Sequence, residues 1–302
     1  MKLTPELPAI FTGTAIVSAL VVVLPQAALA LTGEEVNDIA REVTVLISGE
    51  NSHGSGVIVS QNGDTYYVLT ANHVVAREDD HKIVTADKKA YAVDYGKVKR
   101  LPGVDLAVVE FSSEEDYQVA KLANSDQVTE GKPVFVSGWP APGSTNQLIR
   151  QFTDGRVSGF LPQSYEGYQM IYTNVTRRGM SGGPVLDAGG RVVGIHGLAD
   201  AEDAGLIESQ GVDPDAARSI AGLIKPGFNY AIPIKTFLTL APQEGLYLSL
   251  DVDNSAAPPL GAPYVANSEP DSRDTIDDIN STLDTVNDAV DTLRNVCGFL
   301  GC

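Results

Sequence analysis

Cysteine is nearly absent from this chain: 302 residues contain two, Cys297 and Cys302, both at the far C-terminal end. Everything before them must hold together without an internal disulfide and rely on a packed core. The pair has no companion histidines or further cysteines, so a zinc site is not expected. Basic residues are also scarce, 21 against 39 acidic ones, giving a formal net charge of −18. A surface of that sign repels polyanions, which argues against nucleic-acid binding by bulk electrostatics. A long unbroken apolar run is missing too. Ile10–Leu24 is interrupted by Thr12, Gly13, Thr14 and Ser18, which makes it marginal as a membrane span. With Lys2 before it and Ala28-Leu29-Ala30 after it, residues 1–30 read as a secretory signal. An uncleaved membrane anchor is the alternative. No twin arginine precedes the run, so ordinary export to a secreted or periplasmic location is expected. No stable membrane span is expected once the signal is removed.

Long helical patterns are missing between about residues 43 and 240, and short β-rich segments take their place. Val43–Ser48, Gly56–Ser60, Tyr66–Thr70, Lys82–Ala86, Leu106–Phe111, Val134–Ser137, Ile171–Asn174 and Val192–His196 are separated by turn signals. Asn62-Gly63-Asp64 and Gly189-Gly190 suit hairpin turns. Many short strands without intervening helices indicate an all-β barrel or sandwich.

Against this background one stretch stands out: Gly179-Met180-Ser181-Gly182-Gly183-Pro184. Glycines on either side of a serine let the backbone turn sharply and bring its N–H groups close to a bound carbonyl. Such a serine is a nucleophile only where a base and an orienting acid lie nearby. His73 ends the β-rich run Tyr66–Val75, and Asp105 opens the strand-like run Asp105–Phe111 after the breaker pair Pro102-Gly103.

The order His73, Asp105, Ser181, with Thr70-Ala71-Asn72-His73-Val74-Val75, Val104-Asp105-Leu106-Ala107-Val108 and the glycine turn, resembles the trypsin-like serine peptidases. Gly54–Val59 resembles the strand before the histidine strand in bacterial members, and Asn229–Ile234 resembles the closing strand of Deg-type peptidases. The likeness covers roughly residues 40–240 and implies two six-stranded antiparallel β-barrels with the triad in the cleft between them. It further implies that Ser181 attacks a peptide carbonyl and that His73 carries the proton. Asp105 would orient the imidazole, and the N–H groups of Gly179 and Ser181 would form an oxyanion hole. The substrate would be a polypeptide, and no cofactor is called for.

Thr176, five residues before Ser181, and His196, fifteen after it, are similar in spacing to the pocket residues of bacterial glutamyl endopeptidases. A hydroxyl and an imidazole N–H are both suitable donors to a P1 carboxylate. Broad or apolar P1 preference, with His196 purely structural, is the alternative. No aspartate occurs from Asn174 to Arg178, which disfavours a basic P1 residue. Met180 stands where the family has Asp or Asn, so activation by a new N-terminal amine pairing with that carboxylate does not operate.

The peptidase domain is expected over residues 31–250, with an acidic insertion at 199–227, a linker at 251–271 and a helical tail at 272–302. In the tail, Ile276, Ile279, Leu283, Val286, Val290 and Leu293 recur at heptad spacing among weak helix formers, so a partner surface is needed. Self-association into a homo-oligomer is favoured over docking on the domain or remaining unstructured. An interchain disulfide or a Cys297–Cys302 link are both open. Two other functions compete with a plain exported endopeptidase: a Deg-like quality-control protease without a PDZ module, and a non-catalytic scaffold on a protease fold.

Overall fold

Thr32 and Glu35 cap a helix that the strand pattern hid. Thr32 Oγ1 accepts from the Glu35 N–H at 3.2 Å, and Glu35 Oε2 accepts from the Thr32 N–H at 2.7 Å. This reciprocal box starts α1, Gly33–Val43, which buries Val36, Ala40 and Val43. The computed structural model describes residues 31–50, 52–142, 147–199, 228–261 and 271–276. The expected signal, most of the 199–227 insertion and the tail beyond Ile276 lie outside the described residues.

The first sheet contains β1 (Thr44–Ser48), β2 (His53–Asn62), β3 (Thr65–Thr70), β4 (Lys82–Val84), β5 (Ala90–Ala92), β6 (Lys99–Arg100) and β7 (Ala107–Ser112). They pair antiparallel in the order β5-β4-β1-β2-β3-β7-β6. The second contains β8 (Leu122–Ala123), β9 (Pro133–Gly138), β11 (Gln151–Tyr165), β12 (Tyr168–Tyr172), β13 (Pro184–Leu186), β14 (Val192–Ala199), β15 (Asn229–Pro233) and β16 (Val252–Asp253). Its order is β13-β9-β11-β12-β15-β14-β8-β16, and β13 also pairs with β14, which closes the sheet on itself. The two-barrel architecture expected from the sequence is therefore present. The sheets carry seven and eight strands rather than six because edge strands of two or three residues extend them.

One apolar cluster joins the two barrels. It combines Val57, Leu69, Leu106 and Val108 of the first with Phe135, Tyr168, Leu186, Ile195 and Ile232 of the second. Helix α1 and helix α2 (Ile234–Gln243) add Val36, Ala40, Phe237 and Ala241 to the same cluster. At roughly 1.5–3 kcal/mol per fully buried large side chain, this shared core fixes the two barrels to each other.

The segment expected to be a linker is packed down along its described part. Val252–Asp253 runs beside β8, and Arg191 Nη1 donates to Ser255 O at 3.1 Å and Ser255 Oγ at 2.8 Å. Further on, Thr275–Ile276 forms β17, antiparallel to β10 (Leu148–Ile149). The heptad pattern thus begins on a strand.

This last strap carries Asp274 into a buried ionic cluster. Asp274 accepts two hydrogen bonds from Arg150, at 2.6 and 3.1 Å, and two from Arg41, at 3.1 and 3.0 Å. Arg150, with a side chain 2% exposed, also donates to Ser137 Oγ at 2.9 Å and Asn37 Oδ1 at 2.7 Å. Burial pushes the Asp274 carboxyl up, but the bonds from Arg150 and Arg41 outweigh it and hold it below the ordinary carboxylate value.

Removing the shared carboxylate takes the paired counter-charge from the buried Arg150 guanidinium, while Arg41 keeps Asp38 at 2.6 Å and Asp271 at 3.4 Å. Asp274→Ala should therefore cost about 3 kcal/mol of stability, read as a lower urea midpoint with an unchanged slope. Acid removes the same contribution from the wild-type protein. It is complete above the ordinary carboxylate pKa and fades as pH falls through the lowered folded-state value.

Candidate active site

The imidazole of His73 emerges where β3 ends. After Ala71 the chain enters a 3-10 turn, Asn72–Val75, that buries Val74 and Val75 and leaves the His73 side chain 47% exposed. The turn is fastened to Asp105 at three points. Asn72 N–H donates to Asp105 O at 3.1 Å, His73 N–H to Asp105 Oδ1 at 2.8 Å, and His73 Nδ1 lies 2.6 Å from Asp105 Oδ2. From the other barrel, Glu166 O, in the turn between β11 and β12, accepts the Asp105 N–H at 2.8 Å. Tyr168 Oη donates to Asp105 Oδ2 at 2.5 Å. Burial pushes the Asp105 carboxyl up, but the hydrogen bonds from His73 and Tyr168 outweigh it and leave it below the ordinary value. An ionised carboxylate at this distance places the imidazole proton on Nδ1 and leaves Nε2 as an acceptor.

Ser181 sits on the connection between β12 and β13, with its backbone held by β2 and β14. Ser55 N–H donates to Ser181 O at 2.7 Å, and Gly182 N–H donates to His196 O at 2.7 Å. Among the described residues, the Ser181 hydroxyl makes its one hydrogen bond to Gly197 O, at 3.3 Å. In this arrangement the hydroxyl is bonded to Gly197 O, and catalytic hydrogen bonds commonly tighten only when substrate is bound.

Gly179 and Gly182 adopt φ of +92° and +86°, which L side chains rarely adopt. Space excludes side chains as well. A Cβ at Gly179 would lie 2.2 Å from His53 Nε2, one at Gly182 2.0 Å from Ser55 O, and one at Gly183 2.1 Å from Ser137 O. The peptide before Gly179 is oriented by Ala141, whose N–H donates to Arg178 O at 2.7 Å. In a trans peptide the carbonyl and the next N–H point in opposite directions. The Gly179 N–H therefore faces away from Ala141. Met180 is wholly buried with Val136, Tyr172 and Val185, so its sulfur is shielded despite its place beside the serine.

The two pocket candidates are both buried, His196 1% and Thr176 4% exposed. Tyr172 Oη lies 2.6 Å from His196 Nδ1. Burial holds the Tyr172 phenol well above its ordinary pKa, so it stays protonated, and its bond to Nδ1 runs in the direction that the His196 tautomer sets. Thr176 Oγ1 donates to Asn229 Oδ1, and Asn229 Nδ2 donates to Asn174 O at 2.5 Å. Arg177 and Arg178 are exposed.

Three contributors were not evident from the sequence. Ser55 Oγ donates to Gly179 O at 2.8 Å and accepts from Trp139 N–H at 2.8 Å, pinning the glycine turn to β2. Tyr168 is hydrogen-bonded to Asp105 and Tyr172 to His196. Both alternate inward on β12, a pattern that marks burial but names no partner.

The trypsin-like peptidase domain family matches residues 54–195, which include His73, Asp105 and Ser181. The chain is 30% identical over 162 residues to serine protease Do-like HtrA of Bacillus subtilis, covering 51% of this chain and 35% of that protein. It is 31% identical over 160 residues to the periplasmic serine endoprotease DegP of Escherichia coli, covering 51% of this chain and 31% of that one. It is 28% identical over 193 residues to a probable periplasmic serine endoprotease DegP-like of Pseudomonas fulva, covering 64% and 34%. The aligned stretch is about a third of each relative's length. Residues 54–195, just under half of the chain, thus match the trypsin-like peptidase domain family, and the chain is similar to bacterial serine proteases named HtrA and DegP.

Proposed function

We propose that the protein is an exported serine endopeptidase acting through Ser181, His73 and Asp105. The observation that carries this is the two-point grip of Asp105 on His73, through the backbone N–H at 2.8 Å and Nδ1 at 2.6 Å. His73 Nε2 takes the Ser181 proton as Oγ attacks the scissile carbonyl. The N–H groups of Gly179 and Ser181 receive the oxyanion, a contribution of about 3–4 kcal/mol per donor. His73 then delivers the proton to the leaving amine, and water hydrolyses the acyl-enzyme by the same route. Asp105 stays ionised throughout and stabilises the imidazolium.

The finer reading is a P1 glutamate or aspartate. It is supported by His196, whose backbone O holds the Gly182 N–H at 2.7 Å and so lies against the nucleophile turn, and by the sequence spacing of Thr176, whose hydroxyl itself donates to Asn229 Oδ1. A second reading, a Deg-like protease of broad or apolar P1 preference, is favoured by the relatives named Do-like and DegP-like. Export is supported by the signal-like residues 1–30 and by the relatives named periplasmic. Among the described residues no helix is long and apolar enough to cross a membrane. Self-association through the heptad tail remains part of the proposal on sequence grounds alone.

Ser181→Ala should lower kcat by at least about 10⁴-fold on a peptide substrate, with an unchanged circular dichroism spectrum. A fluorophosphonate should label Ser181 in the folded protein, and absence of label on folded wild-type protein refutes the peptidase reading. P1 specificity is read from a peptide library. Cleavage after Glu should fall roughly 100-fold in His196→Ala, the loss of one charged hydrogen bond. Cleavage after large apolar residues, unchanged by that substitution, would favour the Deg-like reading instead.

A further inference from the structure

Asp105 accepts a hydrogen bond from a residue with no part in the chemistry set out above. Tyr168 opens β12 in the second barrel and is 2% exposed. Its hydroxyl lies 2.5 Å from Asp105 Oδ2, the same oxygen that faces His73 Nδ1 at 2.6 Å. The phenol reaches this point because residue 197 is glycine. A Cβ at Gly197 would lie 2.1 Å from Tyr168 Oη and 3.0 Å from Cζ. Gly197 in turn accepts the Ser181 hydroxyl through its carbonyl. Glycine, phenol, carboxylate, imidazole and serine are therefore contiguous.

We propose that Tyr168 is a positioning residue: its hydroxyl, entering through the space left at Gly197, locks the Asp105 carboxylate and, through it, the His73 ring. This rests on the peptidase reading. Asp105 lies on the first barrel, and the other hydrogen bonds to its carboxylate come from His73 on that same barrel. Tyr168 is the tie from the second barrel, so the carboxylate cannot shift unless the barrels shift with it. The titratable neighbours are few: His73 on the 3-10 turn, Glu166 on the β11–β12 turn and Tyr172 on β12. Burial, and then the charge of Asp105, push the Tyr168 phenol far above its ordinary value, so it stays a neutral donor. Each unit of negative charge density that Tyr168 draws off Asp105 is withheld from the imidazolium, which sets the sign of the effect on pH dependence.

Fluorophosphonate labelling of wild-type Ser181 tests the peptidase reading by itself. Given that label, Tyr168→Phe should slow labelling and kcat about 5- to 20-fold with KM nearly unchanged. The acid limb of the kcat/KM profile should move to higher pH by about a third of a unit to one unit, as expected for one hydrogen bond lost from the carboxylate. A matched pair controls for packing: Tyr168→Val with Gly197→Ser, and Tyr168→Val with Gly197→Ala. A Cβ at 197 lies 2.1 Å from the place of the phenol oxygen, so a serine Oγ one bond further is within reach of the vacated space, and the serine double variant should label at least about 5-fold faster than the alanine one. An unshifted limb in Tyr168→Phe, or equal labelling within the pair, overturns the role of Tyr168 while the peptidase reading stands.

Discussion

At Gly182 and Gly183 the nucleophile turn lies so close to its neighbours that a methyl group at either position would sit 2.0 Å from Ser55 O or 2.1 Å from Ser137 O. Ser55 is on β2 of the first barrel and Ser137 on β9 of the second. The turn is therefore wedged between both sheets with no side-chain layer to cushion it. Its hydrogen bonds follow from that closeness: Ser55 N–H to Ser181 O, Gly182 N–H to His196 O, and His196 N–H to Gly183 O. Any slippage of one barrel against the other moves the serine directly. The shared apolar cluster and the buried Met180 are what prevent such slippage, since neither tolerates a gap.

A similar division of labour governs the histidine and the aspartate. Both are anchored on the first barrel, yet the β11–β12 turn of the second supplies Glu166 O and Tyr168 Oη to hold the aspartate. The positive φ of Glu166, +48°, belongs to that turn and lets the chain reverse just before Tyr168. The candidate site is thus a seam: Asp105 and Ser181 are each carried by one barrel and steadied by the other. Substrate in the cleft would bridge the same seam.

Much of this was legible in the chain, for identifiable reasons. The strands show in runs of β-branched and aromatic residues punctuated by Asn62-Gly63 and Gly189-Gly190, and Gly63 and Gly190 do adopt left-handed turns. His73, Asp105 and Ser181 lie within segments specific enough to be recognised, and His73 Nδ1 and Asp105 Oδ2 are 2.6 Å apart. The capped helix α1 was overlooked although Thr32-x-x-Glu35 is a sequence-level start signal. Tyr168 was illegible because a phenol 63 residues from its acceptor leaves no spacing to read. The 251–261 segment looked like a linker from its Pro, Ala, Asp and Ser content. Its docking depends on Arg191, whose partners are fixed only by the fold: Asp187 on one side and Ser255 on the other.

Asp274 follows Arg150 by 124 residues and Arg41 by 233. During synthesis every strand of both barrels up to β16 emerges before that carboxylate does. A nascent chain at that stage has the Arg150 guanidinium without its main counter-ion, with Ser137 and Asn37 as its remaining acceptors. The order of translation therefore delays the last cooperative step of folding until the strap arrives.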